Sequence, residues 1–128
     1  MIHKSLLFIT ALIVVLTIVA AKAFGAPPVE PKGYSIAEIN VTDAEAYKQY
    51  VAAVSPIVAH FEGKYLVRAG AIVPLEGEAP TGRFIVIEFP SLAIAKAFEA
   101  SPEYRAIVPL RLKASRSRVF LVEGSPQP

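Results

Sequence analysis

Hydrophobic residues occupy 17 of the first 23 positions of the chain and become periodic only after residue 32. Residues 6–21 carry no charge, and Ala21-Lys22-Ala23 places small residues at the two positions that a signal peptidase reads. We interpret residues 1–23 as a secretory signal peptide, cleaved after Ala23. The alternative is an uncleaved membrane anchor over residues 5–21, because 17 uncharged residues lie at the lower limit of the roughly 17–25 that a spanning helix needs.

Both interpretations place the rest of the chain outside the cytoplasm, as a periplasmic or secreted protein or one held at the membrane. Residues 24–32 contain Gly25, Pro27, Pro28 and Pro31, which favour an extended linker over a helix or a central strand. The chain has no cysteine, so neither a lipid-modified cysteine nor a disulfide is available. Stability must therefore come from the core or from a partner chain.

The pattern after the linker predicts a domain over residues 33–124, followed by a short tail at 125–128. Alternating and apolar segments predict strands at 33–41, 64–73, 83–89 and 117–123, with a polar hairpin loop at 74–82. Apolar residues at three- and four-residue steps predict a helix from Thr42-Asp43 to near Gly63, kinked at Pro56. Serine caps predict two more helical segments, at 92–100 and from 102 towards 115, the latter interrupted at Pro109.

The resulting order, β-α-β-β-α-β, is that of the ferredoxin-like α+β fold, in which one antiparallel sheet carries its helices on one face. The strands nevertheless have apolar residues on both sides, for example Ile36 and Ile39 in the first strand and Phe120 and Leu121 in the last. The second face needs a cover, and the sequence encodes no third layer. We therefore predict a symmetric homodimer of sheets.

The order and spacing of several short segments resemble one family of small bacterial proteins, catalogued as domain of unknown function 1330, over residues 33–124. The segments that carry the resemblance are Asp43, Tyr47 and Tyr50, then residues 63–70, 75–77, 86–91, 101–104 and 121–124. Two departures concern glycines: the chain has Glu62-Gly63 where the family often has Gly-Gly, and Arg68-Ala69-Gly70 where it often has Arg-Gly-Gly.

The resemblance implies a dimeric α+β barrel lined by the two sheets, because this family belongs to the superfamily of that name. It implies no settled activity. Relatives in the wider superfamily include cofactor-free monooxygenases, lactone isomerases and haem-degrading enzymes.

Charge and missing motifs exclude several classes of function. The chain has 13 Lys and Arg against 11 Asp and Glu, and two of the lysines, Lys4 and Lys22, lie in the apolar N-terminal end. The remainder is formally neutral, which disfavours a nucleic-acid partner. Because the chain has no cysteine nucleophile, nucleophile elbow, Walker loop or dinucleotide glycine fingerprint, we predict no cofactor. We also predict no metal site, because His3 lies in the signal peptide and His60 has no carboxylate at a helical ligand spacing.

Strand parity suggests a candidate pocket. If alternate residues face the helices, Glu38, Arg68 and Glu88 point together into the apolar barrel, where burial and neighbouring charges shift pKa values. Arg68 and Glu88 are predicted to be cross-strand partners. The alternative is a structural ion pair or a contact across the dimer, since such networks also perturb pKa values.

Other polar side chains are weaker candidates. His60 lies off the apolar stripe near the end of the first helix, where exposure is expected, and a proton-transfer role is the minor alternative. Tyr47, Tyr50 and Tyr104 are predicted to be packing residues with satisfied hydroxyls. Arg111 belongs to a basic run that a solvated helix end explains.

Two hypotheses of function remain open. In the first, the protein binds a small, largely apolar molecule between sheet and helices, with cofactor-independent acid/base chemistry as an extension. In the second, it is a non-catalytic envelope module for assembly or partner contact, with a filled interior. A cavity of about 300–1,000 Å³, the usual size of ligand sites, would favour the first. Contact with a membrane is expected only if the N-terminal segment is not cleaved.

Overall fold

A computed structural model of the protein describes Gly25 and residues 27–126. The predicted signal peptide, its cleavage site and the end of the tail lie outside these residues. Within the described part, no helix is both long and apolar enough to cross a membrane.

The described residues form four strands and three helices in the predicted order. They are β1 (Gly33–Val41), α1 (Ala44–His60), β2 (Lys64–Arg68), β3 (Arg83–Phe89), α2 (Leu92–Ala100), α3 (Pro102–Ala114) and β4 (Ser115–Glu123). The strands pair in the order β2-β3-β1-β4 with all pairings antiparallel, so the ferredoxin-like α+β fold is confirmed.

Side-chain caps begin the helices where the sequence predicts. Asp43 accepts a hydrogen bond from the Ala46 N–H at 3.0 Å, and Ser91 accepts one from the Ile94 N–H at 3.2 Å. Ser101 serves both sides of the α2–α3 junction, because its hydroxyl donates to the Phe98 carbonyl and accepts from the Tyr104 N–H. Ser101 is therefore both the C-cap of α2 and the N-cap of α3.

The core lies between the three helices and one face of the sheet. Its sheet side consists of alternate residues of β1 and β3, as period-two patterning predicts. The buried apolar residues are Ala37, Ile39, Tyr47, Tyr50, Val54, Val58, Ile85, Ile87, Phe89, Ala95, Phe98, Tyr104 and Ala114. On the helix side, the Thr42 and Asp43 N–H groups donate to the Ala114 carbonyl, which fastens the start of α1 to the end of α3.

Three elements differ from the predictions in where they begin, end or break. β2 ends at Arg68 instead of residue 73, because Ala69 adopts a left-handed backbone with φ of 57°, and the loop therefore starts at residue 69. α3 runs through Pro109 without interruption, since losing one backbone donor does not end a helix whose neighbouring turns stay bonded. β4 begins at Ser115, two residues early.

Both departures from the family's glycine pattern involve a left-handed residue. Glu62 and Ala69 each have φ of 57°, a conformation that glycine adopts without steric cost. Gly63 itself has no room for a side chain, because a Cβ would lie 2.7 Å from Val58 Cγ1 and 2.8 Å from Phe89 Cε1. The turn after α1 thus keeps its glycine where packing requires one and tolerates backbone strain one residue earlier.

Candidate functional site

Two predicted site residues, Glu38 and Glu88, lie on the sheet face opposite the helices. Arg118 of β4 donates to Glu38 Oε1 at 2.7 Å, and the Tyr34 hydroxyl donates to Glu88 Oε2 at 3.1 Å. In both cases the partner sits directly opposite on the neighbouring strand. These carboxylates therefore have partners within the face and do not share one site.

The predicted pairing of Arg68 with Glu88 is wrong. Lys64 is the strand partner of Glu88, and Arg68 is opposite Ile85. The register shifts between Tyr65 and Val67, so β2 carries one extra residue, and such a β-bulge turns every later side chain to the other face. Arg68 consequently lies on the helix side, where its Nη2 donates to Ser55 Oγ at 2.9 Å.

His60 is exposed at the end of α1, as predicted. Its Nδ1 lies 3.8 Å from Glu103 Oε1 at the start of α3, and 69% of its side chain is accessible. This contact joins two helix ends at the surface. The structure therefore does not bring Glu38, Arg68, Glu88 and His60 together, and a role for any of them in ligand binding stays a prediction.

A different set of side chains surrounds a cavity between the sheet and α1 and α3. The cavity has a volume of about 50 Å³, enough for one or two water molecules but not for an organic ligand. Its polar lining consists of Ser35, four tyrosines (Tyr47, Tyr50, Tyr65 and Tyr104) and three arginines (Arg68, Arg83 and Arg111). So many polar side chains around one cavity are unusual for a core, which makes the cavity a candidate functional site.

The three arginines rest against aromatic rings and have few anionic partners. Arg68 lies 4.3 Å from the centre of the Tyr65 ring, Arg83 lies 5.7 Å from that of Tyr47, and Arg111 lies 5.8 Å from that of Tyr50. Arg111 is 7% exposed and donates through Nη1 to Ser117 Oγ. The buried Nε atoms of Arg83 and Arg111 have no hydrogen-bond partner in the described structure.

Arg111 was expected at a solvated helix end, and that expectation is wrong. Arg111 follows Tyr104 by seven residues and precedes Ala114 by three, so all three lie on the buried face of α3. Arg83 similarly shares the parity of Ile85 and Ile87, which face the helices. The helical and strand periods thus place both arginines on buried faces, but charged residues are not normally assigned to a core.

Three tyrosines of the cavity, Tyr47, Tyr50 and Tyr104, are buried, as predicted. Burial raises the pKa of the Tyr50 phenol, and the neighbouring Tyr104 hydroxyl raises it further. Burial also raises the pKa values of Tyr47 and Tyr104, against the opposing effect of the arginines. At neutral pH these phenols are therefore neutral and can donate hydrogen bonds to a ligand.

Tyr50→Phe is expected to make stability less sensitive to alkaline pH. Because the pKa of Tyr50 is raised in the folded state, the unfolded chain loses this proton first, near pH 10, and stability falls as pH rises above that value. Urea unfolding at pH 8 and pH 11, followed by far-UV circular dichroism, measures the effect. An equally steep alkaline loss in the variant would contradict it.

A larger open groove continues from the cavity at the end of β1 and the start of α1. It has a volume of about 690 Å³ and shares Ile39, Tyr47, Val51 and Arg83 with the cavity lining. The rest of its wall is formed by Asn40, Val41, Ala44, Lys48, Ala52 and Gly82. The groove thus joins a mainly apolar wall to the inner arginines and tyrosines.

The charges around the two spaces have one sign. Arg68, Arg83 and Arg111 line the cavity, Lys48 and Arg83 line the groove, and none of the described lining residues is an aspartate or glutamate. Lys48 is bridged to the exposed Glu45 at 2.6 Å. Within the described residues, no group of three or more histidine, aspartate or glutamate side chains is arranged to hold a metal ion.

Solved structures of several proteins share this fold. A protein of unknown function from Rhodopseudomonas palustris has 20% sequence identity and a TM-score of 0.59, over 84% of this chain and 93% of that chain. SnoaB, a cofactor-independent oxygenase from Streptomyces nogalater, has 13% identity and a TM-score of 0.51, over 76% and 96%. A dimeric ferredoxin-like protein of unknown function from Thermobifida fusca has 14% identity and a TM-score of 0.50, over 77% and 96%.

At these identities the similarity concerns the fold. No curated protein has a sequence that matches this chain. One family model does match it, over residues 32–125, a range that includes every strand and helix of the described residues. The chain therefore belongs to the family described as Domain of unknown function (DUF1330).

Proposed function

We propose that the protein binds a small, largely apolar molecule in the groove and that it works as a homodimer outside the cytoplasm. The groove volume of about 690 Å³ carries this proposal, because it falls within the roughly 300–1,000 Å³ of small-molecule sites. The inner cavity adds convergent polar groups to an apolar wall, which is the usual composition of such sites.

Binding is favoured over acid/base catalysis by the residue types at the site. The described lining has no histidine, aspartate or glutamate that could accept a proton near neutral pH. The buried tyrosines resist ionisation, since the pKa of each is raised. These side chains are suited to holding and orienting a molecule.

The homodimer is supported by the uncovered sheet face. This face includes Ile36, Phe84, Val86, Phe120 and Val122, with the Glu38–Arg118 and Tyr34–Glu88 pairs beside them. Phe120 and Val122 are 41% and 42% exposed. Large exposed apolar patches are rare on monomers, and the Thermobifida fusca protein with this fold is dimeric.

Native mass spectrometry of the protein purified from its own host tests the proposal. The expected species is a dimer of residues 24–128 that carries an additional small molecule, lost on activation. A monomer would contradict the homodimer. Full-length chains in the membrane fraction would contradict cleavage of the N-terminal segment and support an uncleaved membrane anchor. A ligand-free dimer that binds no added small molecule would favour the non-catalytic assembly module.

A further inference from the structure

We propose that the ligand of this site is an organic anion, in which a carboxylate is held by Arg83 and Arg111 and an apolar body lies in the groove. This inference rests on the proposed binding function and adds the chemical class of the ligand. It concerns the two arginines on the helix side of the sheet and none of the residues on the open face.

Arg83 and Arg111 have no ion-pair partner among the described residues. The described part of the chain holds three ion pairs, Lys48–Glu45, His60–Glu103 and Arg118–Glu38, and none involves Arg83 or Arg111. The charge of Glu99 acts on Arg111, but the two side chains form no ion pair. Neither guanidinium group is therefore neutralised by direct contact with a carboxylate of the described residues.

Both arginines also have a buried N–H group that makes no hydrogen bond in the described structure. Arg111 is more than nine-tenths buried, yet its Nε has no partner among the described residues, and the same holds for the buried Nε of Arg83. An unpaired buried donor is costly, and more so when it is charged. A carboxylate fits this deficit because its two oxygens accept from the planar guanidinium fork.

Arg83 lies between the groove and the inner cavity. It belongs to both linings, together with Ile39, Tyr47 and Val51, so it stands where the groove meets the inner cavity. The inner cavity of about 50 Å³ can receive a small polar head but no larger group. A ligand therefore enters with its charged end inward, and its apolar body lies along Val41, Ala44 and Ala52.

A matched pair of probes tests the charge requirement in the wild-type protein. 1-Naphthoate and 1-naphthamide have nearly the same shape and differ in the negative charge. Titrations followed by isothermal calorimetry or by two-dimensional NMR are expected to give at least about tenfold tighter binding of 1-naphthoate, because hydrogen bonds to an ionised acceptor are the stronger ones.

Variants assign the effect to the arginine. Arg83→Gln is expected to weaken 1-naphthoate about tenfold while changing 1-naphthamide little, and Arg83→Lys is expected to recover part of the loss. Arg105→Gln is the matched control, because Arg105 is exposed on α3 and lies outside both linings.

The affinities of the two probes distinguish an anionic ligand from small-molecule binding in general. Equal affinity for the acid and the amide would overturn the anionic ligand and leave the binding site standing. Binding of neither probe would count against the groove as a site for small molecules, and with it against the anion. The comparison of probes needs no variant, so it holds even if Arg83→Gln fails to fold.

Discussion

Phe120→Glu is expected to convert the proposed homodimer into monomers without unfolding the chain. Phe120 lies on the uncovered sheet face in the edge strand β4, opposite Ile36 of β1, and is 41% exposed in one protomer. A glutamate there remains hydrated in a monomer but is buried in a dimer that joins two such faces, where an unpaired charge costs several kcal/mol. The dimer dissociation constant should rise about 100-fold or more.

Light scattering coupled to gel filtration over a range of protein concentrations measures this change. Leu112→Glu is the control, because Leu112 is 59% exposed on α3, a helix on the other side of the sheet. It should leave the dimer intact. A Phe120→Glu protein that stays dimeric with an unchanged dissociation constant would place the interface elsewhere.

Phe98→Ala is expected to lower the free energy of unfolding by about 3–5 kcal/mol. Phe98 is 1% exposed, and its ring lies 4.4 Å from the Tyr104 ring and 5.1 Å from the Phe89 ring, measured between ring centres. Removal of the ring deletes buried surface and leaves a void, because α2 and the sheet cannot close fully around the smaller side chain.

Urea unfolding of wild-type and variant proteins at one protein concentration measures this loss, since dimerisation makes stability depend on concentration. Phe98→Leu keeps most of the volume and is expected to cost about 1–2 kcal/mol. If Phe98→Ala lowered the free energy of unfolding less than Phe98→Leu does, the packing of the Phe98 ring would not be a main source of stability for α2.

The sequence predicts the parts of this fold that depend on simple periods. β1, β3 and α2 have the predicted bounds, because alternation and a serine cap specify them locally. The candidate site on β2 is different. One extra residue near Leu66 moves Arg68 to the other face, and no local pattern marks such a bulge.

Two arginines of the cavity, Arg83 and Arg111, are not predicted as site residues, for another reason. Their periods place Arg83 and Arg111 on buried faces, but a buried arginine is expected only when a partner compensates its charge. The tertiary structure brings the two arginines to one cavity from β3 and α3, and the sequence separation of 28 residues hides that meeting.

The concentration of tyrosines at this site determines how the protein interacts with ultraviolet light. The chain has no tryptophan and five tyrosines, of which four line the cavity. Absorbance near 280 nm and intrinsic emission therefore originate mainly in the site itself, with Tyr34 on the open face as the remaining tyrosine. The protein thus carries a built-in optical probe, and occupation of its cavity can be followed without any label.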